Sequence, residues 1–313
     1  MDSDKVIDVL IPVYNCEKYI TKCLYSLLNQ TYSNIHIIIA DDGSTDSSLD
    51  ILKNFESRNK NIIVYSKPNE KNISKTRNFL LDKIEHNLFT FFDADDYAEP
   101  TYIEELFKIL YSFNADVAIC SKVRHKVSKN YKIKNSKNKI YFFKREEALS
   151  EMLASRLYNG TVYCKLFRST LIKNNKFNEK IHYGEDLDFC FKIMQNANKF
   201  VFSNKKLYHY IVRTQSIVTS KFNENKLSCV DCYENIILQT RANPILLSAA
   251  KAMQGLISVE LLYYIWRDKF KSKNVKIRLK KIIKNSLPYI KKTKNLPILL
   301  RLSPLVLWFT KFM

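Results

Sequence analysis

The first hundred residues alternate between short apolar runs and segments in which apolar residues recur every three or four positions. Apolar runs at residues 6–13, 35–40, 62–65 and 88–92 are typical of strands that are buried on both faces. These runs predict four strands of one sheet.

Helices are predicted in the intervals between the strands. The first interval places its apolar residues on one helical face: Ile20, Cys23, Leu24, Leu27 and Leu28. The second, residues 44–55, starts with Ser and Asp residues that favour a helix N-terminus. In the third, Ser74 is the expected N-cap. Strand–helix alternation builds a mostly parallel sheet with helices on both faces, so the pattern predicts an α/β fold.

Polar clusters follow three of the predicted strands. They are Pro-Val-Tyr-Asn at 12–15, Asp-Asp-Gly-Ser at 41–44 and Asp-Ala-Asp-Asp at 93–96. Ligands of open α/β sheets bind beyond the carboxyl ends of the strands. We therefore expect the three clusters to lie along one edge of the sheet and to form one site.

The second half of the chain has a less regular pattern. Residues 122–139 carry eight basic and no acidic residues, and we interpret them as an exposed hairpin or loop. From residue 227 onward the pattern is helical, with a long apolar stripe at 245–266. The expected organisation is a domain at 1–220 and a basic helical region at 221–313.

Charge is distributed unevenly along the 313 residues, whose net charge is +20. From residue 241 to the end there are 16 basic and 2 acidic residues, against 35 and 29 before it. Such asymmetry indicates an anionic partner for the C-terminal part, either lipid headgroups or nucleic acid. A solvated lysine-rich surface is the alternative.

Sequence signals for export or membrane insertion are weak. The first ten residues are acidic, so no signal peptide is expected. No stretch reaches the roughly 18 uninterrupted apolar residues that span a bilayer. Residues 296–313 come closest, and their Trp308, Phe309 and Phe312 could enter a membrane interface while basic neighbours meet headgroups. The chain is expected to be soluble or peripheral.

Seven cysteines without an export signal suggest reduced thiols. Cys229 and Cys232 form a lone C-x-x-C without the second pair that would complete a zinc site. Their surroundings are helical, so we interpret both as packing residues.

Phosphate binding would need an unusual solution in this chain. It has 4 glycines and neither a G-x-G-x-x-G nor a Walker A sequence. A divalent cation is the natural substitute, since Asp93, Asp95 and Asp96 offer the hard oxygen ligands that Mg²⁺ or Mn²⁺ prefers. A polar turn or a helix cap before Pro100 is the structural alternative.

Five segments together resemble one known family. They are VLIPVYN at 9–15, ADDGSTD at 40–46, SKTRN at 74–78, FFDADDYAEP at 91–100 and GEDLDF at 184–189. In this order and spacing they are similar to family 2 of the glycosyltransferases, and residues 207–220 are similar to a further stretch of bacterial members. The resemblance covers roughly residues 6–220. It implies the GT-A fold for that part of the chain, to which the sequence pattern adds a helical C-terminal extension.

The resemblance implies a site for a nucleotide-sugar donor, with UDP as the expected nucleotide. Pro12 and Tyr14 would line the end that holds the base, and Asp42 would accept a hydrogen bond from uracil. Arg77 would lie near the base or the diphosphate. Each has a structural alternative: Pro12 could only end a strand, Asp42 only cap a helix, and Arg77 only be solvated.

A metal site is implied by the same resemblance. Asp93 and Asp95 occupy its D-x-D positions and would touch the ribose and the metal-bridged diphosphate. Asp96 could bind the metal directly or through a neighbour, and His209 is a further candidate contact. The expected cofactor is Mn²⁺ or Mg²⁺.

Catalysis is implied for Glu185 and Asp186, with Asp186 as the general base. A carboxylate within hydrogen-bond reach can take the proton of an acceptor hydroxyl as the new bond forms. A helix N-terminus bearing acidic residues is compatible with this role. Arg213 and Ser216 would close over the diphosphate.

These residues imply an inverting transferase at the inner face of the cytoplasmic membrane. The expected acceptor is a glycan, lipid-linked, in the synthesis of capsule, lipopolysaccharide or exopolysaccharide, and no nucleic acid is expected. Two alternatives remain. One is a sugar-nucleotide pyrophosphorylase, although its glycine-rich signature is replaced by VLIPVYN. The other is a basic module that binds membrane or nucleic acid and has a degenerate pocket.

Overall fold

The computed structural model describes residues 5–126, 137–212 and 220–293. The strands are β1 Ile7–Val13, β2 Ile35–Asp41, β3 Ile62–Ser66, β4 Leu88–Phe91, β5 Tyr97–Ala98, β6 Val117–Lys126, β7 Ile140–Lys144, β8 Lys165–Arg168 and β9 Lys199–Val212. The helices are α1 Ile20–Leu28, α2 Ser48–Arg58, α3 Ile73–Leu81, α4 Tyr102–Ser112, α5 Arg145–Leu153, α6 Glu185–Met194, α7 Ser228–Gln239, α8 Pro244–Arg267 and α9 Lys273–Lys292. The four strands and three helices predicted for the first hundred residues are all present.

The chain divides into two compact units. The first takes Met1–Arg145, Thr161–Glu179 and Lys192–Arg213, and the second takes Glu146–Gly160, Lys180–Phe191 and Thr214–Met313. The second unit thus includes two segments that precede the C-terminal helices in the chain. The division into domains at residue 220 stays a prediction.

One sheet organises the first unit, with the strand order β3-β2-β1-β4-β8-β6-β9-β5 and with β7 paired to β9. Strands β1 to β4 are parallel, as predicted for strand–helix alternation. Beyond β4 the sheet is mixed, because β8 runs antiparallel to both β4 and β6. The α/β fold is confirmed, and its parallel part is the half in which helices and strands alternate.

Burial explains why the apolar runs form the centre of this sheet. All seven residues of β1 are buried, and six of the seven residues of β2 are buried beside it. Fully covered faces favour continuous apolar runs over alternating patterns. The inward stripes of α1 and α4 join the same core, including Ile20, Leu24 and Leu106.

Two local predictions are wrong. Ser74 does not cap α3, because the helix begins one residue earlier and the Asn72 side chain accepts the hydrogen bond from Ser74 N at 3.0 Å. The basic segment does not begin as a loop, because Lys122 to Lys126 belong to β6 and pair with β9. Val123 and His125 alternate with charged residues and are buried, so the two-residue period of a strand was hidden by the charges. Residues 127–136 lie outside the described part.

The second unit is built around helices α7, α8 and α9. Its core includes Val230, Leu261 and Leu279. Cys229 and Cys232 are buried, and burial raises the pKa of Cys229 to about 12. Neither cysteine belongs to a possible metal-binding group among the described residues, which agrees with a packing role.

Helix α8 has the length and apolar composition that a bilayer-spanning helix needs, alone among the helices of the described residues. The sequence analysis did not identify α8 as a possible membrane span, because Lys251 and Gln254 interrupt its apolar run. In the structure, 67% of its most apolar window is buried within the protein, as in the core helix of a globular unit.

Candidate functional site

The loops that follow β1 and β2 are bonded to each other. The backbone N of Asn15 donates to Ser44 Oγ at 3.0 Å, and Thr45 N donates to Asn15 Oδ1 at 2.8 Å. Pro12 is buried at the end of β1, whereas Tyr14 is 48% exposed beside it. Since parallel strands end at the same edge, two of the predicted clusters form one connected surface.

Asp42 lies just beyond the end of β2 and is 6% exposed. The Lys67 Nζ lies 2.7 Å from Asp42 Oδ1 and 2.6 Å from Glu70 Oε2. Burial by itself would lower the pKa of Lys67, but the hydrogen bonds to Asp42 and Glu70 outweigh it and raise that pKa. The lysine therefore stays charged and holds the Asp42 carboxylate in place.

Gly43 allows the chain to turn directly after Asp42. Its φ is +68°, and a Cβ there would lie 2.7 Å from Asn69 N. Both the left-handed conformation and the close approach exclude other residues. One of only 4 glycines in the chain is thus used to shape this loop.

Arg77 projects from α3 toward the third polar cluster. It is 5% exposed, and its Nη2 lies 3.5 Å from Asp93 Oδ1. Its guanidinium also lies 5.5 Å from the ring centroid of Phe177. The interpretation of Arg77 as a solvated surface residue is wrong, because the side chain is buried and ion-paired beside Asp93.

Three carboxylates gather after β4, as the D-x-D pattern predicts. Asp93, Asp95 and Asp96 each place one oxygen within 4.8 Å of the others, and we call this group the acidic triad. Asp96 is 2% exposed and accepts hydrogen bonds from Tyr208 OH and Ile211 N, both at 2.8 Å. Burial, together with the charges of Asp95 and Asp93, raises the pKa of Asp96 well above its usual range.

The acidic triad suits a hard divalent cation. Carboxylate oxygens are the ligands that Mg²⁺ and Mn²⁺ prefer. Asp93 and Asp95 are half-buried, whereas both oxygens of Asp96 already accept a hydrogen bond from the protein. This arrangement makes Asp93 and Asp95 the better direct ligands, with Asp96 fixed behind them.

Lys122 and a group of tyrosines stand beside the triad, and the sequence interpretation missed them. Lys122 Nζ donates to Tyr163 OH at 2.7 Å and lies 5.3 Å from the Tyr210 ring centroid. The ring of Tyr163 stacks on that of Tyr208 at 4.8 Å. Burial lowers the pKa of Lys122, and the charges of the nearby triad oppose that effect. The local sequence pattern gives no signal for this lysine, because in the two-residue period of β6 it falls on the same side as the exposed Arg124 and Lys126.

His209 has partners on both ring nitrogens. Its Nε2 lies 2.6 Å from Glu99 Oε1, and its Nδ1 lies 3.2 Å from His125 Nε2. The ring stacks on Tyr97 at 4.2 Å, and burial lowers its pKa. The role of His209 as a metal contact stays a prediction, and a cation would have to replace one of these partners.

Glu185 and Asp186 form the first turn of α6, within the second unit. Carboxylates at this position are stabilised by the positive end of the helix dipole. Both residues therefore lie at a helix N-terminus, as the sequence analysis considered. This position is compatible with the catalytic role implied for Asp186.

The turn before α6 is anchored on α7. Tyr183 N donates to Ser228 Oγ at 2.9 Å. Gly184 has a φ of +96°, and a Cβ there would lie 3.2 Å from the Cβ of Cys229. Backbone hydrogen bonding and close packing thus fix the position of Asp186 within its own unit.

Two predicted site residues, Arg213 and Ser216, lie outside the described residues. The acidic triad belongs to the first unit and Asp186 to the second. That Asp186 shares one cleft with the triad stays a prediction.

Comparisons with known proteins agree with the family resemblance. Residues 8–175 match the profile of "Glycosyl transferase family 2", which is more than half of the chain. The glycosyltransferase GlyA of Streptococcus pneumoniae is 32% identical over 231 residues, which cover 68% of this chain and 32% of GlyA. The poly(ribitol-phosphate) β-N-acetylglucosaminyltransferase TarS of Staphylococcus aureus is 28% identical over 66% of this chain and 35% of TarS. The chain therefore spans about a third of the length of these two relatives.

Solved structures share the fold. TarS residues 1–349 in complex with UDP-GlcNAc align with a TM-score of 0.62 and 23% identity, covering 98% of this chain and 87% of that one. The mannosyltransferase PcManGT from Pyrobaculum calidifontis, in complex with GDP-Man and Mn²⁺, aligns with a TM-score of 0.61 and 15% identity, covering 98% and 89%. The family match favours a transferase over both a pyrophosphorylase and a binding module. The α/β sheet and the aligned structures agree on the GT-A fold, and the family match shows that the chain belongs to glycosyl transferase family 2.

Proposed function

We propose that this glycosyltransferase moves a sugar from a UDP-sugar to a hydroxyl of a glycan acceptor with inversion at the anomeric carbon. The observation that carries the proposal is the acidic triad, which stands at the same edge of the sheet as Asp42. Asp42, after β2, offers a hydrogen-bond acceptor for a base. The acidic triad, after β4, offers ligands for a cation that binds a diphosphate. A nucleotide sugar has both groups.

Asp42 supports the choice of UDP. Its Oδ1 is paired with Lys67, and we expect Oδ2 to accept the imide N–H of uracil. TarS, which shares the fold, is described in complex with UDP-GlcNAc. Since PcManGT is described with GDP-Man, the fold itself does not select the base, and the assignment depends on Asp42.

A divalent cation fits the donor set of the triad, and PcManGT is described with Mn²⁺. When bound by Asp93 and Asp95, such a cation would neutralise the diphosphate and stabilise the leaving nucleotide. Arg77 and Lys122 add positive charge beside the same carboxylates. We propose that these two side chains orient the donor and offset the charge that develops on it.

Asp186 is the proposed general base. An acceptor hydroxyl is a poor nucleophile until a carboxylate takes its proton, and a single in-line displacement then inverts the anomeric centre. The first turn of α6 holds this carboxylate on a fixed backbone. Glu185, in the same turn, is proposed to contact the acceptor.

The proposed setting is the synthesis of a bacterial surface glycan on a lipid-linked acceptor at the inner face of the cytoplasmic membrane. TarS is named for poly(ribitol-phosphate), an anionic polymer. Helix α9 carries eight basic and no acidic residues, and its buried side is Val275, Leu279, Ile283, Ser286 and Ile290. Its exposed basic side suits anionic headgroups.

Vesicle binding tests the membrane part of this proposal. The full chain and a chain that ends at residue 289 are mixed with phosphatidylglycerol vesicles and, as a control, phosphatidylcholine vesicles. We expect sedimentation of the full chain with the anionic vesicles and a large loss after removal of residues 290–313. An unchanged bound fraction would show that those residues have no membrane role.

A panel of nucleotide sugars tests the activity. Release of nucleotide is measured with Mn²⁺, with Mg²⁺ and with EDTA, with and without glycan acceptors. We expect release from a UDP-sugar that depends on the cation and stops in EDTA. Activity that is equal in EDTA would refute the metal assignment.

Asp186→Asn separates catalysis from binding. We expect the transfer rate to fall by about 10³-fold, because a general base contributes roughly 10²–10⁴-fold, while UDP binding by calorimetry is unchanged. Glu224→Gln removes an exposed carboxylate at another helix start and serves as the control. Wild-type turnover in Asp186→Asn would reject the base assignment.

A further inference from the structure

A second cluster of metal-ligating side chains lies at the opposite, amino-terminal edge of the sheet. It joins Asp8 of β1, His36 of β2 and His86, which precedes β4. One ligand atom of each residue lies within 4.8 Å of the others. We call this group the His–Asp cluster. The proposed transferase function makes no use of it.

Backbone hydrogen bonds to Asp8 fix the geometry of the cluster. Asp8 is fully buried, and its Oδ2 accepts hydrogen bonds from Glu85 N at 2.9 Å and from His86 N at 2.8 Å. This leaves Oδ1 facing both imidazoles, at 3.0 Å from His36 Nδ1 and 2.8 Å from His86 Nδ1. Metal sites use such backing bonds to orient a ligating carboxylate.

These separations are close to those of a tetrahedral zinc site. With metal–ligand bonds of about 2.0–2.1 Å, neighbouring ligand atoms lie roughly 3.3 Å apart. The two nitrogen–oxygen distances in the cluster, 3.0 and 2.8 Å, need to widen by only a few tenths of an ångström. The two imidazole rings are nearly perpendicular, with centroids 5.6 Å apart, so they can face one ion without stacking or clashing.

The cluster is also reachable. A surface cavity of about 350 Å³ is lined by residues that include His36, His86, Glu85 and Asn61. The His36 side chain is 14% exposed and that of His86 is 33% exposed. Both imidazoles therefore border this cavity, where the exposed Glu85 carboxylate or a water could complete the coordination of a cation.

We propose that the His–Asp cluster is a second metal site, selective for a borderline cation such as Zn²⁺ and distinct from the acidic triad. The ligands are His36 Nδ1, His86 Nδ1 and Asp8 Oδ1. Each imidazole would bind the ion through Nδ1 in its neutral form, with its proton on Nε2. Imidazole suits Zn²⁺, whereas all-carboxylate sets suit Mg²⁺ and Mn²⁺.

Such an ion would tie together the starts of β1 and β2 and the turn before β4. Its role is then structural, because these segments form the base of the parallel half-sheet. A ligand that binds only the folded state raises Tm with concentration. We expect Zn²⁺ to raise the Tm of the chelator-treated protein by about 5 °C when its free concentration is about 100-fold above Kd.

Co²⁺ and Zn²⁺ titrations of the full chain, after removal of metal with EDTA and of EDTA by desalting, test the proposal. In tetrahedral coordination Co²⁺ gives intense visible absorption, and a cysteine ligand would add a near-ultraviolet charge-transfer band. We expect the visible bands without the thiolate band, one equivalent of Zn²⁺ that displaces the Co²⁺, and the rise in Tm.

Matched variants identify the ligands. His36→Gln/His86→Gln should weaken Zn²⁺ binding at least 100-fold and abolish the Co²⁺ bands, whereas His182→Gln changes an exposed histidine and should behave as wild type. Asp93→Asn/Asp95→Asn should retain Zn²⁺ binding and lose Mn²⁺ binding. If the double histidine variant does not fold, His86→Gln alone should weaken Zn²⁺ at least 10-fold. Unchanged Zn²⁺ affinity in a folded histidine variant, or no Zn²⁺ binding by wild type, would overturn the proposal.

Discussion

The two edges of the parallel half-sheet each hold a buried aspartate with a different set of neighbours. Asp96 stands at the carboxyl edge among other carboxylates, whereas Asp8 stands at the amino edge among N–H donors. The seven residues of β1 separate these edges by about 20 Å. The two aspartates therefore differ in what stabilises their negative charge. Asp96 needs a positive charge nearby, whereas Asp8 is already surrounded by hydrogen-bond donors.

The neighbours decide what each aspartate does. In the acidic triad, the charges repel and burial raises the pKa of Asp96, so the ionised site is stabilised by an added cation. At the amino edge, Asp8 accepts four hydrogen bonds from His36, Glu85 and His86, so its carboxylate is satisfied by the fold itself. Under the proposed function, the carboxyl edge binds ligands at a cost in stability, whereas the hydrogen bonds of the amino edge stabilise the fold.

The largest expected effect is the loss of activity at the carboxyl edge. Asp93→Asn/Asp95→Asn should lower kcat/KM for the UDP-sugar at least 10³-fold, because the hard cation loses its two accessible ligands. Tm in EDTA should change little, because the removal of two mutually repelling charges offsets the loss of the ion pair between Arg77 and Asp93. Steady-state kinetics and differential scanning fluorimetry measure the two quantities. A drop in Tm comparable with that of a core variant would contradict the division between the edges.

At the amino edge we expect a large effect on stability and a small effect on activity. Asp8→Ala leaves the N–H groups of Glu85 and His86 without the buried carboxylate that accepts from them, and the unfolding free energy should fall by about 3 kcal/mol. Chemical denaturation measures this loss. The kcat of the remaining folded protein should stay within about twofold of wild type. A stable Asp8→Ala protein with a large loss of kcat would show that the amino edge acts on the chemistry.

A smaller effect is expected for Lys122→Met, which keeps the length of the side chain and removes its charge. The KM for the UDP-sugar should rise by roughly 10-fold, because one buried charge beside an anionic diphosphate is worth on the order of 1–2 kcal/mol. Mn²⁺ should bind more tightly, since a competing cation beside the triad is gone. Lys126→Met changes an exposed lysine of the same strand and is the control. Equal KM values in the two variants would remove Lys122 from the site.

The smallest expected effect concerns Asp96→Asn in chelator. Because the pKa of Asp96 is raised, its protonated form is favoured in the folded state, so its stabilising contribution is present below about pH 4 and is lost as the pH rises through the raised value. At pH 7 in EDTA the variant should therefore have the higher Tm, and the wild type should approach it as the pH falls. Saturating Mn²⁺ should shrink the difference.

Asp82→Asn, in which an exposed carboxylate is replaced, is the control for that measurement. Its Tm should follow wild type at each pH. A wild-type protein that is more stable than Asp96→Asn at neutral pH in EDTA would mean that the hydrogen bonds of Asp96 outweigh its burial and the charge of its neighbours.

Local patterns predicted the parts of the fold that depend on short stretches of chain. The apolar runs that became β1 and β2 are buried along nearly their full length, and the D-x-D residues gathered as expected. The exact start of α3 was harder to predict, because two neighbouring polar residues compete for the N-cap position. Asn72 precedes Ser74 and forms the cap. Charge also masked the two-residue period of β6, where Val123 and His125 point inward.

The amino-acid sequence by itself determined the order of strands and helices in the first hundred residues, the place of the acidic residues at a strand end and the family. Each of these depends on periodicity or on residues that are neighbours in the chain. Tertiary structure alone decided which distant side chains meet. Lys122 reaches Tyr163 across 41 residues, and Asp8 meets His86 across 78, because strand pairing places them side by side. Contacts of that range leave no mark on local pattern, so the environment of the triad and the His–Asp cluster became visible only in the folded chain.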